Sequence, residues 1–507
     1  MFRPGPGALA GPLLFACVAG SLLLYIALFL LLRGRSFRLT QTATLVRWPQ
    51  LRAVSDALTP DSLITATWRT DQAATHEFLY LLLALALVVL WLAALWLVRP
   101  GGRTVSLRLI LLPIVLFGVP LIVLPGMFSG DLYLYMFYGR MIARYGANPI
   151  LVAPDQFAGD PHLAWVYWKW LPSAYGPVWL LLSGALSAVA GDALWENIVT
   201  YKSAMLGLHL LATIAVWKVL RDTRPALAAW GAIFYGWNPM VLHETVGSAH
   251  NDVLVGLFGV LALLALVHKR WLFAIFFVVA AAMVKLMALI LLPVLILAWL
   301  RAMPTAPDRR RAAVLSIVGS VLSGVALYLP LWGGTAMFDN IRENPAAREY
   351  QNSFWDLLVL KVLSPGQNPM VAVLNSDLDL VRNMAFVCVY LFLLWRFWRG
   401  GDLGHAWVGV WFAYFLFAGW MWPWYFVAVV PIAAFCGPGR AARVATGLTM
   451  GGLLFWLGWP DPALPAAPWF HNYRAVLMFA PAMVLAVWPV GRLFSRQTIR
   501  PQLPVKA

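Results

Sequence analysis

Long apolar runs alternate with short polar breaks along the whole chain, and the runs have the length of membrane crossings. A helix needs about 20 residues to cross roughly 30 Å of hydrocarbon. Runs of that order fall at 8–32, 77–98, 107–127, 195–218, 225–246, 251–267, 271–284, 286–300, 312–333, 380–397, 405–421, 424–437, 442–459 and 474–493. Each predicts a helix, because backbone inside lipid has to satisfy its own hydrogen bonds. Several runs are short for a full crossing, and Lys285 divides one apolar stretch into two arms. The pattern predicts an all-α polytopic membrane protein with about 13–14 transmembrane helices. A single integral membrane domain, 1–507, then comprises three N-terminal spans (1–127), an outer loop (128–194), core spans (195–333), a second outer loop (334–379) and C-terminal spans (380–507). Met1–Leu32 reads as a retained first span rather than a cleaved signal.

Lys/Arg placement gives the expected sidedness. With both termini cytoplasmic, the inner connections carry Arg99/Arg103/Arg108, Lys218/Arg221/Arg224, Lys269/Arg270, Arg301/Arg309/Arg310/Arg311, Arg396/Arg399, Arg440/Arg443 and the tail Arg492/Arg496/Arg500/Lys506. All are basic, as the positive-inside tendency asks. The scheme requires Val178–Ala190 to lie along the outer surface as a juxtamembrane helix instead of crossing. One segment runs against it. Residues 33–76 fall outside yet contain Arg33, Arg35, Arg38, Arg47, Arg52 and Arg69. That segment suits a docking surface for anionic lipid or an acidic acceptor, or else the first span is misplaced.

Composition agrees with the pattern. The chain is 62% hydrophobic and 11% charged, against about 25% charged in soluble domains. A formal net charge of +16 would raise nucleic acid as a partner of a soluble protein; here it reflects cytoplasmic Lys/Arg and contact with anionic lipid. Cys17, Cys388 and Cys436 each lie in an apolar run with no CxxC spacing, so they read as small hydrophobes.

Polar groups concentrate in a few places. Ser129–Trp179 leaves an apolar run with Asp131 and continues through Tyr133, Tyr135, Tyr138, Arg140, Arg144 and Asn148 to Tyr175-Gly176-Pro177. Asp131 either caps the helix of Leu132–Ala143 or acts as a general base at a cavity mouth. A second group is Trp237-Asn238-Pro239, His243-Glu244 and Ser248-Ala249-His250-Asn251-Asp252. It reads as a sugar- or acceptor-binding site, as a capping turn, or as a site for a divalent cation such as Mg or Mn, with His250 and Asp252 the weak metal candidates. Lys285 either snorkels or meets a lipid phosphate, since an intramembrane lysine is costly and usually functional. Arg342 and Arg348 suit a phosphate clamp or a solvated charge run. Trp420–Tyr425 and Trp469–Tyr473 read as aromatic belts or as sugar-stacking walls.

In series, these residues resemble a known family. Asp131, Tyr135, Gly139-Arg140, Asn148-Pro149 and Tyr175-Gly176-Pro177 resemble the first outer loop of GT-C-fold glycosyltransferases. The likeness is nearest to the actinobacterial polyprenol-phosphate-mannose-dependent α-1,6-mannopyranosyltransferases. Trp237-Asn238-Pro239, His250-Asn251-Asp252, Val284-Lys285 with Pro293, and Pro423-Trp424-Tyr425 follow in the same order. The resemblance implies the GT-C fold with juxtamembrane helices in 128–194. It implies an enzyme of the plasma (inner) membrane working on the extracytoplasmic face, which moves a hexose, mannose foremost, from a polyprenyl-phosphate carrier to a glycan or glycolipid hydroxyl with inversion. Asp131 is then the catalytic base and Lys285, Arg348 and Arg342 the donor-phosphate ligands. Tyr135, Arg140, Tyr175, His243, Glu244, His250, Asn251, Asp252, Trp424 and Tyr425 are the sugar- and acceptor-binding set. Other lipid-linked sugars (arabinofuranose, glucose) remain alternatives, as does a lipid or solute transporter. A transporter places ionisable groups near the midplane of paired repeats, and no repeat is evident in this sequence.

Overall fold

A computed structural model describes residues 10–36, 73–100, 105–124, 127–358, 376–457 and 467–487. The principal helices are α1 (Ala10–Ser36), α2 (Ala73–Leu97), α3 (Leu107–Ile122), α4 (Asp131–Tyr145), α5 (Pro177–Ala190), α6 (Leu194–Thr223), α7 (Ala228–Gly236) and α8 (Asp252–Val267). They continue with α9 (Trp271–Ala282), α10 (Leu292–Ala302), α11 (Ala306–Tyr328), α12 (Ser376–Trp398), α13 (Leu403–Phe417), α14 (Val430–Cys436), α15 (Arg440–Leu454) and α16 (Ala467–Val487). Five helical stretches are long and apolar enough to cross a membrane by length and composition, namely Gly11–Leu32, Phe78–Leu97, Leu194–Thr223, Ala306–Leu331 and Leu378–Trp398. Shorter apolar helices fill in between them, and the protein is an all-α polytopic membrane protein. Of the basic 33–76 segment, residues 37–72 lie outside the described part.

Among the described residues, three of the expected apolar runs are interrupted: 286–300 and 424–437 each open with a 3-10 turn (Leu286–Leu291 and Pro423–Ala428), and 225–246 is the most divided. Residues 225–246, expected as one span, are broken. A 3-10 turn (Pro225–Leu227) leads into α7, which stops at Gly236; Pro239–Leu242 makes a separate turn, and His243–Gly247 forms a π-helical turn. The cause is local. Pro239 has no N–H to continue the ladder, and Asn238 caps the new start by accepting from the Val241 amide at 3.0 Å. The amide of Asn238 is tied in turn to Thr449 on α15 at 2.8 Å.

Small residues and hydroxyls bring α4, α5 and α6 together, the usual means of close helix approach in membranes. A methyl group on Gly139 would lie 2.3 Å from the Tyr201 hydroxyl and 2.4 Å from the Ser183 carbonyl. Ser183 donates to the Tyr135 carbonyl at 2.7 Å, and the Tyr201 hydroxyl bonds the Ser183 carbonyl at 2.7 Å. At 14 residues, α5 is about 21 Å long, short of the hydrocarbon thickness. Lys202, buried on α6, donates to the carbonyls of Leu121 (2.9 Å) and Leu124. That amine satisfies the open C-terminal end of α3 and so fixes the chain just before Asp131.

Candidate active site

Asp131 is the first residue of α4, and the N-cap, Gly130, makes no side-chain cap bond. Asp131 thus stands one place past the N-cap, in the first turn, and its amide is held by Ser129 Oγ at 3.2 Å. Its side chain keeps 18% exposure, with Oδ2 3.8 Å from His250 Nδ1 and 3.5 Å from the Tyr135 hydroxyl. Burial pushes the Asp131 carboxyl above the ordinary aspartate value, while the Lys285 charge and the hydroxyls of Ser129, Tyr135 and Tyr175 act in the opposite direction. A partly exposed carboxylate of that kind can take a proton from an approaching hydroxyl.

Tyr175 arrives from the far end of the same loop. Its hydroxyl lies 3.4 Å from that of Tyr135, and its backbone is fastened to the α9–α10 connection. The Gly176 amide donates to Val284 O at 3.1 Å and the Val178 amide to Met283 O at 3.1 Å. Only glycine fits at 176, because a Cβ there would sit 2.1 Å from the Met283 carbonyl oxygen. The next residue is Lys285, extended at φ −140°, ψ 121° between α9 and a 3-10 turn. Its ammonium donates to Asp252 Oδ2 at 2.5 Å and lies over the rings of Tyr425 (5.1 Å) and Tyr175 (5.7 Å).

The third strand of the site is His243–Asp252. The π-turn, a feature frequent at functional sites, is followed by Ala249 with φ 60°, a conformation costly for a residue with a Cβ. This geometry folds the chain back so that His250 Nε2 lies 3.5 Å from Glu244 Oε2, while His243 Nδ1 lies 3.3 Å from Glu244 Oε1. The His250 ring is stacked on Trp424 at 4.0 Å, and Trp422 stacks on Trp424 at 4.7 Å. Trp456 Nε1 donates to Glu244 Oε1 at 2.7 Å. Both ring nitrogens of His243 and of His250, Glu244 Oε2, the Asn251 amide and Asp252 Oδ1 are buried without a hydrogen-bond partner. Buried polar groups seldom remain so. Burial, with the nearby Lys285 and His243, holds the His250 imidazole well below its ordinary value, so it is neutral.

The structure thus brings Asp131, Tyr135, Tyr175, His243, Glu244, His250, Asn251, Asp252, Lys285, Trp424 and Tyr425 into one region. Two expected members, Arg140 and Arg342, are placed elsewhere, and the side chain of a third, Arg348, is not described. Arg140 lies two and a half turns along α4 from Asp131 and bonds Asp160 at 2.8 Å and Asp192 at 3.0 Å. It clamps the outer loop, with Tyr145 and the His162 amide completing the bonds to Asp160. Arg342 is 73% exposed and pairs with Asp339 at 3.3 Å; Arg348 ends a short helix, and its side chain lies outside the described part. The two metal candidates face different partners, His250 turning to Asp131 and Glu244 and Asp252 to Lys285. Trp456 and Ser129 were not anticipated. Trp456 is one aromatic in an apolar run, with nothing local to mark it. Ser129 directly precedes Gly130 at a helix start, where a hydroxyl that bonds backbone is common.

An all-helical membrane-embedded fold around a carboxylate, a neutral imidazole and an ammonium defines a polytopic membrane protein with a polar site walled by aromatic rings. Comparison with known sequences narrows this. The chain belongs to the alpha-(1->6)-mannopyranosyltransferase family: the model described as "Alpha-(1->6)-mannopyranosyltransferase, N-terminal domain" matches residues 42–301, half of its length. It is similar to alpha-(1->6)-mannopyranosyltransferase A of Corynebacterium glutamicum, with 30% identity over 183 residues (34% of this chain, 36% of that protein). It is also similar to the B protein of that organism, with 26% identity over 168 residues (31% and 27%). The two Corynebacterium relatives are matched over about a third of their own length. A longer match, 26% identity over 408 residues, joins the chain to alpha-(1->6)-mannopyranosyltransferase A of Mycobacterium tuberculosis (74% and 73%).

Proposed function

We propose that this chain is a mannosyltransferase that moves mannose from a polyprenyl-phosphate carrier to a hydroxyl of a glycan or glycolipid, on the extracytoplasmic face of the plasma membrane and with inversion at the anomeric carbon. The supporting observation is the setting of Asp131. This carboxylate sits at a helix start, keeps contact with solvent and shares its surroundings with the Lys285 ammonium, all inside residues 42–301, the stretch that matches the family model.

The chemistry follows from those groups. Asp131 removes the proton of the incoming hydroxyl as its oxygen bonds to C1 of the sugar. The bond from C1 to the carrier phosphate breaks, and the phosphate leaves with the electron pair. Lys285 is the cation available to the growing negative charge, the kind of preset electrostatic contact that usually contributes most. It does so by sharing its protons between Asp252 and the phosphate. Tyr425, set edge-on beside the buried Trp422–Trp424 stack, is the ring of this group left partly open to the sugar. Tyr167, Trp168 and Trp170 pack on one another with Tyr167 and Trp170 exposed, and Trp165 stacks on Tyr133 near Asp131. Amphipathic rings of this kind favour the membrane interface, where the prenyl chain has to be admitted. The Lys/Arg bias supports a reading with this end outside, both termini in the cytoplasm and α5 along the surface.

The test is a donor panel. Purified protein is incubated with acceptor-bearing membranes and polyprenyl-phosphate mannose, glucose or arabinose, and products are identified by mass. Mannose transfer is expected, and it is expected to be lost in a folded Asp131→Asn variant. Transfer of a different sugar would change the donor; normal turnover by Asp131→Asn would remove that residue from the mechanism.

A further inference from the structure

We propose that Asp131 does not act alone but heads a buried proton relay, Asp131–His250–Glu244, in which His250 exchanges tautomers between two carboxylates. This rests on the reading of Asp131 as the base. His250 and Glu244 act through Asp131, so they are positioning and relay residues rather than groups that touch substrate.

The geometry carries the proposal. One imidazole presents its two nitrogens to two carboxylates, Nδ1 to Asp131 Oδ2 at 3.8 Å and Nε2 to Glu244 Oε2 at 3.5 Å. Both separations exceed a hydrogen bond, and catalytic contacts of this length commonly close when substrate binds. The atoms that would exchange the proton, His250 Nδ1, His250 Nε2 and Glu244 Oε2, are buried and have no other hydrogen-bond partner. The ring plane is fixed by stacking on Trp424 at 4.0 Å. Glu244 is anchored through its other oxygen by Trp456 at 2.7 Å, with His243 Nδ1 3.3 Å away. The backbone that permits this is the irregular part of the fold, the π-turn and the left-handed Ala249, and such outliers persist where the surroundings hold them for a purpose. A bare structural role does not require His250 to face a carboxylate on each side.

Other charges acting on the ring are Lys285 and His243. Lys285 and His243 disfavour a charged imidazole, which suits transfer through a neutral one. Before reaction Asp131 and Glu244 are ionised and His250 carries its proton on Nε2. The hydroxyl proton passes to Asp131 and on to Nδ1, while the Nε2 proton passes to Glu244. Asp131 is again ionised, Glu244 holds the proton, and the imidazole has changed tautomer without gaining charge. When products leave, the proton returns by the same route to Asp131 and to solvent.

The decisive measurements use single-turnover transfer from polyprenyl-phosphate mannose. In wild-type protein the rate in mixtures of H2O and D2O is expected to vary quadratically with deuterium content, because more than one proton moves; a linear dependence would overturn the relay. His250→Gln, which keeps a planar group on Trp424, and Glu244→Gln are expected to slow transfer on the order of ten- to a hundredfold. Donor KM should change little in both, and the acid limb of the pH–rate profile should move in the same direction in both. Wild-type rates and pH profiles in the two variants, beside an inactive Asp131→Asn, would remove the relay and leave the base. An active Asp131→Asn would remove the base itself. Should His250→Gln fail to fold, Glu244→Gln and the wild-type isotope dependence still decide.

Discussion

Lys285 and Asp252 form a close buried pair, and removing one partner should reveal an asymmetry that the structure already contains. Asp252 is fully buried, and its second oxygen has no hydrogen-bond partner. Lys285 keeps 11% exposure and lies over two tyrosine rings. Lys285→Met therefore leaves a carboxylate without compensation, and stripping one member from a buried pair costs about 3–5 kcal/mol. The residual exposure puts the expected loss near the lower end, about 3 kcal/mol. Asp252→Asn leaves an ammonium that retains Tyr175 and Tyr425, each ring contact being worth roughly 0.5–2 kcal/mol. Its expected cost is about 1–2 kcal/mol. The double variant carries neither stranded charge and should lie close to Asp252→Asn, giving a coupling of about 3 kcal/mol. Reversible unfolding in mixed micelles titrated with SDS, followed by far-UV dichroism, measures all three without reference to catalysis. Strict additivity of the two single losses would refute the pairing as an energetic unit.

Two other expectations concern pH and packing. Because burial raises the Asp131 carboxyl against the lowering pull of Lys285, the acid limb of kcat/KM should lie above the ordinary aspartate range and move further up in Lys285→Met. A profile unmoved by that change would detach the cation from the base. The sign for stability is opposite to the sign for activity. The raised value contributes stability that is fully present below pH 3.8 and lost as pH rises through the folded value. Asp131→Asn should consequently be no less stable than wild type at neutral pH in the same SDS titration. Gly176→Ala forces a methyl to within 2.1 Å of the Met283 carbonyl oxygen; overpacking of that kind costs about 1–3 kcal/mol. It should lower activity by more than it lowers stability, since the displaced backbone carries both Tyr175 and Lys285.

The helices could be read from the sequence because the lipid environment demands long apolar runs, and α1, α2, α6 and α12 correspond to them within a few residues. The broken segment after Gly236 was harder. Asn238-Pro239 sets the break locally, but the apolar residues that continue on both sides of it hide the interruption in the hydropathy pattern. Asp131, Tyr175, His250 and Lys285 could be found because polar groups are conspicuous where apolar chain prevails. Their partners could not. Arg140 looked like a ligand contact until Asp160 and Asp192, distant in sequence, came to lie beside it. Trp456 could not be told from the many other tryptophans. A charged residue can be located from its own neighbourhood, whereas what neutralises it is decided by helices that pack from elsewhere.

The two backbone rungs joining Gly176 and Val178 to Val284 and Met283 also set how this protein can be divided. Chimeras with relatives that exchange the outer loop alone would part those rungs and leave a foreign tyrosine above a native lysine. The smallest transplantable block therefore extends from Asp131 to Lys285, and selectivity engineered within it has to be varied as a set, not one insert at a time.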